Sequence, residues 1–284
     1  MCVAMSALLL LCSCARSEVQ NTSETDYPLA ICDTVISKCP QKVISLSPAL
    51  TDIVCALGSD AQLCGVSDLC VTDRELPTFG SSVMPNTGGI IQSGAEVVLC
   101  TGAISGEDMQ TLTDAGIAVA VVQLPTDFEQ LEQTYTTVAQ IMSGAITGRM
   151  NAQYTFGRIS ARLSSIKSQI SKRPTVLLLT ECGTAAADGT LWADMLDFAG
   201  GKNAAKSVSV DDSTIIAANP EYIFAPKSEC ERIMNDSAFA SLSAVVGGNV
   251  TELPHSILGS MGERMVSGVE IMAAAMHPDL FVIQ

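Results

Sequence analysis

The chain has few aromatic residues and few basic ones. Aromatic side chains make up 4% of its 284 residues, and 15 Lys and Arg stand against 30 Asp and Glu, for a formal net charge of −15. Nucleic-acid binding requires a basic surface, and adsorption to anionic lipid depends on clustered Lys and Arg. The composition therefore argues against both kinds of partner, and any ligand pocket has few rings available for stacking.

Sequence patterns that are typical of enzymes are also missing. The chain has two histidines and no GxSxG, HExxH or P-loop sequence. Ser47 precedes Pro48, where a nucleophile can sit, but helix capping accounts for that serine. No CxxC spacing occurs, which argues against a structural zinc site. We therefore predict a protein that is not an enzyme, with no catalytic residues, no metal ligands and no resident cofactor.

The apolar run at the start of the chain, Ala7 to Leu11, is too short to span a membrane. It is typical of the apolar core of a secretory signal. The sequence Leu11-Cys12-Ser13-Cys14 resembles a bacterial lipobox, which implies lipidation of Cys14; an ordinary cleaved signal is the alternative. Residues 1–26 are thus predicted to be a signal and a polar tether that precede the fold.

Five of the eight cysteines that follow Cys14 fall into two groups. Cys55, Cys64 and Cys100 lie in apolar runs, where cysteine acts as a small buried hydrophobe. Cys32 and Cys39 flank a short turn and are the best candidates for a disulfide, with free thiols as the alternative.

The segment from Gly148 to Arg173 is the longest predicted helix. Phe156, Ile159, Leu163, Ile166 and Ile170 recur at spacings of three and four, which marks one apolar face. The segment also carries six of the fifteen Lys and Arg, and no Asp or Glu. Pro174 is expected to end the helix. Because α/β patterns lie on both sides, we predict that this helix links two lobes; a long helix within one domain is the alternative.

Short apolar strands alternate with helices before this helix. The predicted strands start at Val43, Gln62, Ala95 and Ala118, and helices are predicted over Glu107 to Ala115 and Asp127 to Met142. This alternation indicates a mainly parallel sheet that is covered on both faces. In such sheets, ligands meet the loops at the carboxyl ends of the strands.

Several stretches of the chain occur in the order found in one known family. VISLSPALTDIVCALG, GVSDLC and LPTFGSSVMPNTGGIIQSGAEVVLC resemble the start of the solute-binding proteins of iron-siderophore, haem and cobalamin ABC importers. AGGKN and the closing GERMVSGVEIMAAAMHPDLF resemble later parts of that family. The resemblance implies two Rossmann-like α/β lobes with mainly parallel sheets, bridged by one long α-helix. The implied boundaries are 27–147 and 174–284 for the lobes and 148–173 for the linking helix.

The resemblance places a ligand between the lobes, so binding residues are expected at the strand ends that face the cleft. Trp192 can stack on a flat macrocycle or pack in the core, and His255 can ligate a metal or hydrogen-bond at the rim. Cys70 and Met84 are possible soft metal ligands or packing residues. Arg264 matches a position that is commonly basic in the family, and we expect it to pair with a carboxylate. The full set of predicted ligand-binding residues is Ser47, Asp68, Cys70, Ser82, Met84, Glu181, Trp192 and His255.

The family docks on its membrane permease through one glutamate on each lobe. This chain has Gly88 and Ser213 at the matching positions. Asp211 and Asp212 adjoin Ser213 and can substitute for the second glutamate, whereas nothing obvious replaces the first. The acidity of the whole chain still suits a basic partner.

The resemblance therefore implies a monomeric, lipid-anchored extracytoplasmic solute-binding protein that works with an ABC permease and its ATPase. Its expected ligand is a metal chelate that itself contains the cobalt or iron ion. GVSDLC favours a cobalamin-type ligand, with haem or a ferric siderophore next. The alternatives are an enzyme or metal-handling protein on the same fold, and an orphan surface binder without a permease.

Overall fold

The computed structural model describes residues 25–181 and 183–281, with Glu181 described by its backbone alone. Cys14, most of the predicted tether and Cys182 lie outside the described residues. Within this part of the chain, no helix combines the length and the apolar character that crossing a membrane requires.

A small hairpin that the sequence analysis did not predict precedes the first lobe. Strand β1 (Leu29–Ile31) pairs antiparallel with β2 (Thr34–Ile36), and Cys32 and Asp33 form the turn with positive φ angles. Cys32 and Cys39 are both free thiols, which is the alternative to the disulfide considered for this pair. Cys32 is held in this turn, whereas the Cys39 thiol donates to the Met142 carbonyl at 3.4 Å.

The first lobe is built on a four-stranded parallel sheet in the order β4-β3-β5-β6. Its strands are β3 (Val43–Ser45), β4 (Leu63–Val66), β5 (Val97–Cys100) and β6 (Ala118–Val121), and its helices are α1 (Pro48–Ala56), α2 (Thr87–Ser93), α3 (Gly106–Asp114) and α4 (Phe128–Ser143). Val97 and Leu99 pack in one core cluster, whereas Val98 and Cys100 pack in another on the opposite face. Both faces are therefore covered, as the apolar strands predicted.

The linking helix α5 (Ala145–Ser168) has 24 residues and is about 36 Å long at 1.5 Å per residue. Phe156 on its first half packs against Tyr135 of α4, with ring centroids 5.6 Å apart. The predicted bounds are wrong at both ends. The helix begins three residues earlier, and it ends at Ser168 because Ile170 leaves the helical path and lies close to Gly200.

The second lobe has a mixed sheet in the order β11-β10-β7-β8, with β9 also paired to β7. Its strands are β7 (Thr175–Glu181), β8 (Thr184–Ala185), β9 (Lys202–Asn203), β10 (Tyr222–Ala225) and β11 (Val250–Glu252). Strands β10, β11 and β9 run parallel to their partners, and β8 alone is antiparallel. The helices are α6 (Leu191–Phe198), α7 (Asp212–Ala218), α8 (Lys227–Asn235), α9 (Ser243–Val246), α10 (His255–Leu258) and α11 (Glu263–Met276). The predicted fold class, two α/β lobes joined by one long helix, is confirmed.

Candidate functional site

A cavity of about 610 Å³ lies between the two lobes. The first lobe lines it with Pro48, Leu69 and Val71, and the second lobe with Thr180, His255, Ser256, Leu258, Gly259, Ser260 and Arg264. We call this cavity the cleft. Its volume is within the range of pockets that hold cofactor-sized ligands.

The strand topology explains why the cleft forms here. Pro48 follows the carboxyl end of β3, and Leu69 and Val71 follow that of β4. Thr180 lies near the carboxyl end of β7, and His255 follows β11. Parallel strands bring their carboxyl ends to one edge of each sheet, and the loops from both lobes meet there.

The cleft combines apolar walls with a few polar groups. Leu69 is 73% exposed and Val71 is also exposed, and both line the cleft, where they are available to contact a ligand. His255 is exposed at the start of α10, and Arg264 supplies a guanidinium. Such a surface suits a ligand that has a large apolar body and polar or charged groups at its edge.

Arg264 forms an ion pair across the two lobes. Its Nη2 lies 2.9 Å from Oδ1 of Asp52 in α1, and the Asp52 side chain is 5% exposed. The other carboxylate oxygen of Asp52 accepts from the backbone N–H groups of Met261 and Gly262. Burial raises the pKa of Asp52, an effect that Arg264 and these two N–H groups oppose. The expectation that Arg264 pairs with a carboxylate is confirmed.

Predicted site residues of the first lobe lie in or next to the cleft loops, and several have structural roles. Ser47 is buried at the N-cap position of α1, but its side chain makes no capping hydrogen bond, so the predicted role of its hydroxyl is wrong. Asp68 is exposed and accepts from the Gly80 N–H at 3.2 Å. The Cys70 thiol is half-buried 3.1 Å from the Thr51 hydroxyl, and burial raises its pKa.

Ser82 and Met84 differ sharply in their surroundings. The buried Ser82 hydroxyl donates to the Leu46 carbonyl and accepts from the Thr101 N–H, each at 3.1 Å. It therefore joins the ends of β3 and β5. Met84 is 77% exposed, and its carbonyl approaches Gly80 so closely that a Cβ there would lie 2.1 Å away.

Among the predicted site residues of the second lobe, one lines the cleft and another has a structural role. His255 lines the cleft. Trp192 is 9% exposed and donates from its indole nitrogen to the Leu258 carbonyl at 2.9 Å. It therefore supports α10 from behind the cleft, which agrees with the packing alternative. Strand β7 ends at Glu181, one residue beyond the cleft residue Thr180.

Sequence reasoning missed the apolar residues of the cleft and the carboxylate that holds Arg264. Leu69 is the fifth residue of GVSDLC and Val71 directly follows that stretch, whereas the residues predicted from it were Asp68 and Cys70. A signal did exist, since two large apolar residues in a loop after a strand end are candidates for ligand contact. Asp52 gave no such signal, because it lies in the middle of an amphipathic helix.

The residues expected to dock on a permease make contacts of their own. Asp211 caps α7 and accepts from Thr214 and Ser213, which lowers its pKa to about 2. Asp212 forms an ion pair with Arg232 at 2.8 Å. Gly88 lies in the first turn of α2, where a Cβ would meet nothing closer than 4.0 Å. Space for a larger side chain is therefore available at that position.

The described residues contain no group of three or more His, Cys, Asp or Glu side chains arranged to hold a metal ion.

Comparison with known proteins places this architecture in a family. The chain is 24% identical, in an alignment 304 positions long, to the ABC transporter substrate-binding lipoprotein YvrC of Bacillus subtilis, covering 97% of this chain and 95% of that relative. It is 21% identical to a cobalamin-binding protein of Halobacterium salinarum, covering 84% and 70%. A periplasmic haem-binding protein from Pseudomonas aeruginosa is similar in structure, with a TM-score of 0.73 and 20% identity over 86% of this chain and 95% of that one. The family model for periplasmic binding proteins matches residues 43–257, and the chain belongs to that family.

Proposed function

We propose that this protein is the extracytoplasmic solute-binding component of an ABC importer, and that it captures a metal chelate in the cleft. The observation that carries the proposal is a cavity of about 610 Å³ between two α/β lobes, at the carboxyl ends of strands from both. The name of the Bacillus relative, a substrate-binding lipoprotein of an ABC transporter, supports the same role. Lipidation at Cys14 is the corresponding proposal for its attachment to the membrane.

A cobalamin-type ligand is the first candidate, and haem or a ferric siderophore comes next. The names of the Halobacterium and Pseudomonas proteins support a corrinoid and a porphyrin, respectively. Both are large metal chelates built on a macrocycle, and the apolar face of a porphyrin in particular suits the exposed Leu69 and Val71. His255 is the cleft residue best suited to approach the metal, because a neutral imidazole nitrogen ligates both cobalt and iron.

The protein's part in transport is selective capture rather than chemistry. Apolar contacts with the first lobe bind one face of the ligand, while His255 and Arg264 of the second lobe select its polar features. The ligand-loaded protein then docks on the permease, and Asp211 and Asp212 are the proposed contacts of the second lobe. Gly88 supplies no equivalent charge on the first lobe.

Titration of the purified protein with cobalamin, haem and a ferric siderophore tests the proposal. Trp192 is the single tryptophan, and its indole N–H donates a hydrogen bond to the carbonyl of the cleft residue Leu258. Its fluorescence should therefore report binding. We expect one of the three to bind at a 1:1 ratio with a Kd below about 1 μM, or about −8 kcal/mol. Calorimetry provides the stoichiometry independently of optical absorption by the ligand.

A matched pair of variants locates the binding site. Leu69→Asp places a charge on the apolar wall of the cleft and should weaken binding at least about tenfold. Val246→Asp changes a residue that is 76% exposed outside the cleft, and its affinity should equal that of the wild type. Equal loss in both variants, or binding of none of the three chelates, would contradict the proposed ligand class.

An orphan surface binder that lacks a permease is the second candidate function. The observations that favour it are the missing charge at Gly88 and the pairing of Asp212 with Arg232. Such a protein would bind its chelate with the same affinity but would associate with no permease. An enzyme or metal-handling protein on this fold would instead convert the chelate or bind free metal ions, which analysis of the recovered chelate and a titration with metal salts detect.

A further inference from the structure

Most of the cleft lining comes from one continuous stretch of the second lobe. Residues 255–264 supply six of the ten lining residues: His255, Ser256, Leu258, Gly259, Ser260 and Arg264. This stretch runs from α10 through a short loop, residues 259–262, into α11. We call residues 259–262 the wall loop. The backbone position of the wall loop therefore decides where much of the second-lobe surface of the cleft lies.

The second lobe itself holds the first half of the wall loop. The Gly259 N–H donates to the His255 carbonyl at 2.8 Å. The N–H and the hydroxyl of Ser260 both donate to the Ile257 carbonyl, at 2.9 and 2.6 Å. These hydrogen bonds fix the loop to α10 as far as Ser260.

The first lobe holds the second half of the wall loop. The Met261 N–H donates to Oδ2 of Asp52 in α1 at 3.2 Å, and the Gly262 N–H donates to the same oxygen. The Met261 carbonyl accepts from the Tyr135 hydroxyl of α4 at 2.9 Å. Both polar groups of the Met261 backbone are thus bonded to side chains of the opposite lobe.

Gly262 allows the wall loop to lie this close to the first lobe. A Cβ at this position would lie 2.7 Å from Oδ2 of Asp52 and 2.8 Å from the Asp52 carbonyl oxygen. Any larger residue would force the loop away from α1, and a close approach of two backbones is a common reason for glycine.

Asp52 and Tyr135 hold the wall loop from positions that a ligand does not reach. The Asp52 side chain is 5% exposed and Tyr135 is fully buried, with its ring centroid 5.6 Å from that of Phe156. The lining of the cleft includes neither residue. Any effect of these two side chains on a ligand must therefore act through the wall loop.

We propose that Asp52 and Tyr135 are positioning residues for the cleft: they fix the wall loop of the second lobe in the conformation that binds the ligand. This role rests on the proposed function of the cleft and adds to it the residues that preorganise the binding surface. When only a fraction of the molecules has a competent site, the apparent affinity falls by that fraction. Loss of a wall-loop contact should therefore weaken binding although no group that touches the ligand has been removed.

Tyr135→Phe is the test variant, and Tyr27→Phe is its matched control. Each substitution removes one phenolic hydroxyl that donates to a backbone carbonyl and keeps the ring. Tyr27 donates to Ile141 near the end of α4 at 3.0 Å, within the first lobe, and the cleft lining includes neither residue. The two variants should therefore lose similar stability, which urea unfolding measures. Substitution of Asp52 is a poorer test, because it leaves the Arg264 guanidinium without its partner.

Two measurements compare these variants with the wild type. Hydrogen–deuterium exchange of the free protein reports on the wall loop, and titration with cobalamin, haem and a ferric siderophore reports on the cleft. In Tyr135→Phe we expect the amides of residues 259–262 to exchange at least about fivefold faster, and the Kd of the tightest-binding chelate to rise at least about threefold. Tyr27→Phe should match the wild type in both measurements.

The outcomes separate this role from the proposed function. Unchanged exchange in Tyr135→Phe, equal changes in both variants, or faster exchange with an unchanged Kd would each overturn the positioning role, even if a chelate binds to the wild type. Binding of none of the three chelates by the wild type would contradict the proposed function. Exchange that is faster only in Tyr135→Phe would still support the fixing of the wall loop by the first lobe in that case.

Discussion

Asp52 is the residue whose removal should most weaken the contact between the lobes. It is buried, it forms an ion pair with Arg264, and it accepts hydrogen bonds from the backbone N–H groups of Met261 and Gly262 in the other lobe. Asp52→Ala leaves these donors without their partner, and we expect a loss of about 3 kcal/mol in the free energy of unfolding. Urea unfolding followed by circular dichroism measures it. Glu132→Ala, an exposed position on α4, should change stability by less than about 0.5 kcal/mol, and a similar loss in both variants would contradict the prediction.

Asp26 caps the linking helix from a distant part of the chain. Its carboxylate accepts from the N–H groups of Ile146 and Thr147 and from the Thr147 hydroxyl, and these hydrogen bonds lower its pKa below the ordinary value of 3.8. A depressed pKa means that this stabilisation is complete above about pH 4 and is lost as the pH falls through the lower, folded-state value.

Asp26→Asn tests that pH dependence, because the amide keeps an acceptor but cannot ionise. The variant should be less stable than the wild type at pH 6, and the difference should shrink as the pH approaches about 2. Chemical denaturation at a series of pH values measures it. Asp279→Asn, an exposed position near the end of the chain, is the control. A difference that stays constant with pH would show that the charge of Asp26 is not responsible.

The close approach of α4 and α5 depends on a glycine. A Cβ at Gly148 would lie 2.4 Å from the Ala139 carbonyl oxygen of α4. Gly148→Ala must therefore push the two helices apart, and we expect it to destabilise the fold by about 2 kcal/mol. Gly157→Ala in the same helix is the matched control, because a Cβ there meets nothing within 4 Å. It should stabilise the protein by about 0.5–1 kcal/mol through helix propensity, and thermal melts of the two variants should shift in opposite directions.

Three basic residues of α5, Arg158, Arg162 and Lys167, and Arg173 after its end are paired with acidic residues of the second lobe. Arg162 contacts both Glu263 and Glu270 of α11, and Lys167 and Arg173 contact Asp197. These pairs are roughly half exposed, so solvent screening limits each contribution. Arg162→Gln, which loses two of them, should lower stability by about 0.5–1 kcal/mol in low salt and by less in high salt. Unfolding midpoints at the two salt concentrations test this, and Arg149→Gln should show no such salt-dependent loss.

The sequence predicted the elements of this fold better than their ends and their contacts. Apolar periodicity identified the four strands of the first sheet and α5, because the spacing of apolar residues depends on whether one face or both faces of an element are buried. The end of α5 at Ser168 was missed because it depends on where Ile170 packs in the other lobe. Likewise, His255 was recognised as a cleft residue from its place after a strand end, whereas Asp52 acquires its role only from a partner more than 200 residues away.

Hydrogen bonds and an ion pair connect the first lobe to the second along the length of α5. The Tyr135 hydroxyl of α4 donates to the Met261 carbonyl at 2.9 Å, and the Phe128 N–H at the start of α4 donates to Asp194 of α6 at 2.9 Å. Asp52 adds the contact beneath the cleft. The helix α5 contacts both lobes, and the hydrogen bonds and the ion pair named above connect the lobes further. Little freedom is left for a hinge, because hinges need loop residues that can absorb large changes in φ and ψ.

We therefore expect ligand binding to change the shape of the protein very little. Small-angle X-ray scattering of the free protein and of the protein saturated with its tightest-binding chelate should give the same radius of gyration within error. Asp52→Ala removes the contact beneath the cleft and provides the comparison. If the contacts between the lobes limit their motion, ligand binding should change the radius of gyration of the folded variant more than that of the wild type. A clear decrease in the radius of gyration of the wild type on binding would mean that the lobes close as a hinge, and that α5 bends or its contacts with one lobe break.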